Sequence, residues 1–286
     1  MAASHSTAQV DSPAMSVTPL PPLGRERMQF LREFTVPPNS IASWFLGQNG
    51  FILKDPGGTV VAIDPYLTNS CSEQNPGHPL NLNRLLASPL EPEELDVDFI
   101  VFTHSHDDHL DLETIRRLTC APIFAGPWET IEKLKTLGLP KERHILLHPR
   151  QSVSLNEIRL EGTFALPTDA TDLNHMGVLF TLPGGLRFYN TGDTAFAHAL
   201  SRLLPTRVDI CAICINGGFH NLSHGDAAQI VKVIEPLIAI PTHFDLMACN
   251  QSDPEMFRFA LLNENSSAIY QRLTTDRLFL YERKTA

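Results

Sequence analysis

The sequence predicts an α/β fold, and three observations predict it. Short apolar runs of strand length alternate with stretches of helical periodicity, without internal repeats. Breaks rich in Gly, Pro, Asn and Asp separate these runs, and two of the breaks have hairpin form. Histidines and aspartates gather just beyond several apolar runs, where rigid elements aim polar groups and leave them reachable.

Taken in order, residues 51–54 and 59–63 flank Asp55-Pro56-Gly57-Gly58 and read as a hairpin. Residues 66–95 form a long connection containing Asn, Pro and Gly, of a length that often serves as a lid. Arg84 within it is either a solvated arginine or a contact for an anionic group. Phe99-Ile100-Val101-Phe102 reads as a buried strand. Helices are expected near 111–118 and 127–137, the second closed by Gly138. A second hairpin joins 176–182 to 186–190 through Pro183-Gly184-Gly185. Strands at 208–215 and 237–241 alternate with helices at 226–235 and 254–263. Ser223 with Asp226 three residues on reads as a capping box for the earlier of these two helices.

The strongest chemical signal follows the strand that ends at Phe102: Thr103-His104-Ser105-His106-Asp107-Asp108-His109-Leu110-Asp111. In an extended chain, residues two apart point the same way, so His104 and His106 can present both imidazoles to one cation. Asp108 and His109, further on, can turn toward a second position. So many ionisable groups in so short a run do not make a satisfied core; histidines and carboxylates gathered this way hold metals or do catalysis. Two more ligand types stand at strand ends. Asp193 follows an alternating strand and the turn-forming Gly192, and His243 follows the apolar run 237–241.

Composition narrows the function classes. The chain has 286 residues, 43% hydrophobic and 19% charged, as an ordinary globular protein has. Its net charge of −10 speaks against a nucleic-acid partner, since phosphate backbones need an excess of Lys and Arg. It does not exclude a small anionic substrate, because bound metals supply local positive charge. A homo-oligomer is compatible with this composition. Five scattered cysteines form no disulfide framework, which points to a reducing compartment, the cytoplasm. Cys211 and Cys214 have redox spacing, but three apart on a strand they should face opposite sides. No run approaches the roughly 18 apolar residues of a membrane-spanning helix, so no membrane partner is expected. Residues 1–24, rich in Ser, Thr, Ala and Pro, read as a disordered tail before a domain spanning 25–286.

The His-x-His-x-Asp-His run, the later Gly192-Asp193-Thr194 and the strand-end His243 resemble the metallo-β-lactamase superfamily of metal-dependent hydrolases, in order and approximate spacing. Ser43-Trp44-Phe45-Leu46-Gly47-Gln48-Asn49-Gly50-Phe51, Val61-Ala62-Ile63-Asp64-Pro65-Tyr66-Leu67 and Ile240-Pro241-Thr242-His243-Phe244-Asp245 are similar to the branch containing L-ascorbate-6-phosphate lactonase. The resemblance covers about residues 40–280 and implies a four-layer αββα sandwich with metals at one edge.

The same resemblance implies a pair of divalent ions, Zn²⁺ or Mn²⁺. His104 and His106 would hold one ion and Asp108 and His109 the other, with Asp193 bridging them and His243 completing the second. A third imidazole for the first ion should come from the segment 166–177, where His175 is the histidine available. Asp169 or Asp172 is the alternative, and an oxygen donor there would favour a harder ion such as Mn²⁺. Asp64, by turn statistics an ordinary turn former, is expected instead to hydrogen-bond a ligand or its backbone.

The implied activity is opening of a small, phosphorylated lactone or ester by metal-bound hydroxide. Asp108 would guide the proton, and His220 would donate one to the leaving group if its loop binds substrate; otherwise His220 and His224 are solvent-facing. Three alternatives remain: a phosphodiesterase on small or cyclic nucleotides, an iron-dependent oxidoreductase, and a metal-stabilised binding protein. No flavin or rubredoxin-like segment accompanies the oxidoreductase reading.

Overall fold

Two β-sheets are laid down largely one after the other, and the computed structural model describes them over residues 14–283. The first half opens with β1 (Ala14–Pro19) and α1 (Gly24–Glu33), then the antiparallel strands β2 (Ser40–Gly47), β3 (Gly50–Lys54) and β4 (Val60–Ile63). After the short helix α2 (Ser70–Gln74), β5 (Phe99–Val101), α3 (Leu112–Arg117), β6 (Ile123–Gly126), α4 (Trp128–Lys135) and β7 (His144–Leu146) continue in parallel.

The second sheet begins with the antiparallel strands β8 (Ser152–Leu155), β9 (Ile158–Phe164), β10 (Met176–Thr181) and β11 (Arg187–Asn190). It continues in parallel through β12 (Ile210–Cys214), α5 (His224–Ile234), β13 (Ile238–Thr242), α6 (Pro254–Asn263) and β14 (Ile269–Tyr270). The last strand, β15 (Arg277–Glu282), returns to the first sheet between β1 and β2.

Strand periodicity explains the layering. On β12, Ile210 and Ala212 enter the core between the sheets, while Cys211 and Ile213 pack under α5 and α6. Ile238 and Ile240 of β13 do the same on either side of Ala239. Both faces are covered, so these strands read as continuous apolar runs. The first sheet buries its other face, including Trp44, Ile100 and Phe124, against α1, α3 and α4. The result is the four-layer αββα sandwich. Among the described residues, no helix is long and apolar enough to cross a membrane.

Several expectations need correction. Residues 14–19 are not tail: β1 pairs antiparallel with β15 from Ala14↔Glu282 to Pro19↔Arg277, and α1 starts at Gly24. An edge strand held by backbone bonds leaves most of its side chains exposed, so composition does not reveal it. The remainder of the expected tail, residues 1–13, lies outside the described residues. Cys211 and Cys214 share one apolar layer, where opposite faces were expected, yet both stay free and buried. Residues 66–95 contain α2 and a single 3₁₀ turn at Pro92–Glu94. The capping box at Ser223 and Asp226 is present and starts α5 at His224.

Phe188 illustrates what holds the sheets together. It is fully buried, with the Phe51 and Phe180 ring centroids 5.6 and 6.5 Å away. Phe188→Ala leaves a cavity that the sheets cannot close, and should destabilise the fold by about 3–5 kcal/mol. Urea unfolding would show a lower midpoint at unchanged slope; an unmoved midpoint would contradict this account of the core.

Candidate metal centre

The expected ligands converge at one edge of the sandwich because parallel strands end there. β5 delivers the loop 103–111, β11 delivers Asp193, β13 delivers His243, and antiparallel β10 starts at that edge just after His175. The two sheets are stitched at this point. The Met176 amide donates to Thr103 O at 3.0 Å, and the His243 amide to Gln48 O at 2.7 Å. Gly192, at φ +59°, makes the turn before Asp193; a Cβ there would stand 2.8 Å from Thr103 Cβ and 2.9 Å from Met176 O. Only glycine fits.

Ligand atoms form three overlapping groups, each within 4.8 Å: His104, His106 and His175; His104, His109 and Asp193; Asp108, His109 and His243. Asp193 stands between the flanking groups, Oδ1 lying 3.4 Å from His109 Nε2 and Oδ2 3.3 Å from His243 Nε2. His175, not an aspartate, completes the first group. Asp172 instead accepts the Ser105 amide at 2.8 Å and shapes the loop. Asp169 stays at the rim, 3.4 Å from His106 Nε2.

Asp64 behaves as expected and does more. It is fully buried at the end of β4, in left-handed backbone at φ +41°. Its Oδ2 accepts His109 Nδ1 at 2.8 Å, the Thr103 hydroxyl at 2.5 Å and Asn49 Nδ2 at 2.7 Å; its Oδ1 accepts the Thr103 amide at 2.8 Å. The acceptor-only carboxylate places the proton of His109 on Nδ1. With its own proton given to Asp64, the Thr103 hydroxyl accepts from His104 Nδ1 at 3.1 Å. His175 Nδ1 donates to the Asp193 carbonyl at 3.1 Å. Each of these rings therefore turns its Nε2 toward the shared centre.

Three atoms there are buried without a hydrogen-bond partner: His109 Nε2, His175 Nε2 and Asp193 Oδ1. Buried polar atoms are normally paired, so such a set of orphans marks a place suited to a ligand. Nitrogen and carboxylate donors so arranged fit a divalent cation.

Electrostatics agree. Burial pushes His104 well below the ordinary imidazole value, with neighbouring His109, His175 and His106 adding to the effect. His175 is lowered, chiefly by burial. Burial opposes charge on His109 and His243 too, but Asp193 and Asp108 outweigh it and raise both. Against the same burial, His109 and His243 hold Asp108 well below the carboxylate range, and they lower Asp193 likewise.

Sequence reasoning missed Gln48 and Asn221. Gln48 Nε2 donates to Asp108 Oδ2 at 2.7 Å and lies 3.0 Å from His243 Nε2; Asn221 Nδ2 donates to Asp193 Oδ2 at 2.6 Å. The only hint was a polar Gln48-Asn49 pair between two apolar strands. His220 is not brought to the centre. It is exposed at φ +65°, while its neighbours Phe219 and Asn221 line the cavity beside the cluster. His224 caps no ligand either, pairing with Ser252 Oγ at 2.8 Å.

That cavity measures about 230 Å³ and is bordered by His106, Asp108, Asp193 and His243. The 66–95 connection supplies part of its wall through Cys71, Asn75 and Leu82. Arg84 does not line it: its guanidinium stacks over the Tyr66 ring and donates to Tyr66 O at 2.6 Å and Leu86 O at 3.2 Å.

Known proteins resemble this chain. A family model described as "Beta-lactamase superfamily domain" matches residues 44–243. The chain belongs to the beta-lactamase superfamily. It is 31% identical over 202 residues to a metal-dependent hydrolase of Thermoplasma acidophilum, covering 69% of this chain and 81% of that one. It is 26% identical to a Salmonella paratyphi B protein named "Probable L-ascorbate-6-phosphate lactonase", covering 78% of this chain and 75% of that one. The fold is also that of a metallo hydrolase from the archaeon Ignicoccus hospitalis, at TM-score 0.66 and 20% identity, over 86% of this chain and all of that one. The class is that of the metal-dependent hydrolases.

Two predictions follow from the geometry. Asp64→Asn removes the carboxylate that orients His104 and His109, and should weaken Zn²⁺ binding by about 10–100-fold, read by metal titration. Unchanged affinity would remove Asp64 from its orienting role. The raised values of His109 and His243 mean that protons persist there above the ordinary 6.5 in cation-free protein. A protonated imidazole cannot ligate, so cation binding must expel protons and tighten as pH rises above the ordinary imidazole value. Calorimetry in buffers of differing ionisation enthalpy measures that release, and a pH-independent affinity contradicts it.

Proposed function

We propose that this protein hydrolyses a small lactone or ester at a pair of divalent cations held by His104, His106 and His175 on one side and Asp108, His109 and His243 on the other, with Asp193 between. The observation that carries this reading is the set of orphaned donor atoms facing one another beside a substrate-sized cavity. With His175 as the third-segment ligand, nitrogen donors dominate, which favours Zn²⁺ over the harder Mn²⁺. When bound, such a pair supplies reactive water at neutral pH and polarises the carbonyl.

The chain's own residues do the rest. Asp64 fixes two imidazole orientations, and Gln48 and His243 hold Asp108 as a carboxylate at the cavity wall. Asp108 accepts the proton of the attacking water and passes it to the leaving oxygen. In balance, a bond forms from the water oxygen to the acyl carbon, the acyl C–O bond breaks, and a carboxylic acid and an alcohol result. His220, exposed and outside the cavity, has no part in this scheme. The lactonase name of the Salmonella relative supports the lactone class.

Elemental analysis of the purified protein, with acid release from a lactone panel set against cleavage of a bis-aryl phosphate, tests the reading. Asp193→Ala should lower lactone hydrolysis by at least about 100-fold and reduce bound zinc. Full activity in that variant would refute the bridging role, and preferential cleavage of the phosphodiester would replace the lactone reading.

A further inference from the structure

We infer that the substrate is uncharged away from its acyl group and presents an apolar substituent, not a phosphate, to the cavity. This inference deepens the hydrolase reading above and rests on it. The apolar part of the cavity wall is built from Cys71, Leu82, Phe219, Met247 and Cys249. Met247 and Cys71 pack with Tyr66 and Leu246 in one apolar cluster against which Leu82 and Cys249 rest, so the wall is firm. Leu82 and Phe219 are less buried; Phe219 is 49% exposed.

Outside the proposed ligand set, the polar groups that share the cavity with this wall carry no positive charge. Asn75, Asn221 and Asn250 offer carboxamides, which hydrogen-bond without charge. Among the described residues, no Lys or Arg lines the cavity. Arg84 lies outside the lining, its Nη1 and Nε bonded to backbone oxygens of Tyr66 and Leu86 and its Nη2 buried without a partner. The acidic side chains that line the cavity outside the proposed ligand set are Asp107 and Asp169.

A phosphate at the far end of a substrate would therefore lose its water against apolar side chains and meet like charge at the rim. Burying a charge without a partner is strongly unfavourable, and phosphate sites elsewhere supply Arg, Lys or a helix N-terminus. An alkyl group gains from the same wall in proportion to the area it buries. This departs from the sugar-acid phosphate implied by the family resemblance.

A matched pair tests the inference on zinc-loaded protein: a butyl-substituted γ-lactone, and the same ring carrying a phosphorylated hydroxymethyl group. The butyl compound should have the higher kcat/KM by at least about tenfold, followed by proton release. Equal or reversed values would overturn the inference. A binding arm stands apart from turnover: hexanohydroxamate and the same hydroxamate with a terminal phosphate, compared by calorimetry. The uncharged tail should bind at least about tenfold tighter. If neither lactone reacts while this discrimination persists, the lactone reading fails and the substrate class stands. If the phosphorylated hydroxamate binds as well or better, the class falls whatever the lactones do. Leu82→Arg, at a partly exposed position, should shift the preference toward the phosphorylated hydroxamate by about tenfold. No shift would show that this wall does not meet the substrate's tail.

Discussion

The Asp64 carboxylate is the contact on which the centre depends. It reaches both flanking clusters, His109 directly and His104 through the Thr103 hydroxyl. It can do so because β4 pairs with β5 in parallel and the Asp64 amide bonds Val101 O, setting the two strand ends side by side. A left-handed backbone conformation at Asp64 then turns the side chain back under the histidine loop. Sheet register is in this way converted into ring orientation: which nitrogen of each imidazole carries a proton follows from how two strands align.

Strain gathers where the sheets meet. Gln48, Asp64 and His243 all have positive φ, as does Gly192. Such conformations cost roughly 1–3 kcal/mol each for residues other than glycine and persist only where surroundings over-determine them. Here the surroundings are cross-sheet bonds, from His243 N to Gln48 O and from Met176 N to Thr103 O, and the packed core beneath. The layers of the sandwich are therefore a condition of the chemistry. They hold His104, His106, His109, His175 and His243 close enough that their mutual repulsion and desolvation are relieved only by carboxylates or a cation.

The cluster and its cavity divide two tasks. Side chains at the strand ends, rigidly held, face the reacting bond. The wall beside them comes from connections, 66–95 and the segments following β12 and β13, which can vary without disturbing the ligands. Asp111 links the two: it caps α3 behind the histidine loop and also accepts the Thr68 and Ser70 hydroxyls at 2.7 and 2.9 Å, fixing the start of the first connection. The same cluster is thus compatible with different substrates.

What the residues disclosed by themselves was whatever depends on local periodicity and on side-chain chemistry. Strands β3, β4, β5, β10, β11, β12 and β13 and helices α3 to α6 follow from apolar spacing, turn residues and caps. His104, His106, Asp108, His109, Asp193 and His243 announced themselves as ligand types stationed past strand ends. Strand β1 did not, because an exposed edge strand is defined by backbone bonding to β15, nearly the whole chain away. The choice of His175 over Asp169 and Asp172 also lay beyond the sequence, since all stand in one loop and only its folding against Ser105 and Asp193 separates them. Gln48 and Asn221 act through contacts with Asp108 and Asp193 that span 60 and 28 residues. The exposure of His220 and the uncharged wall facing the cluster are likewise three-dimensional facts. Sequence specifies which groups exist and on what element they ride; only the packing of two sheets edge to edge decides which of them meet.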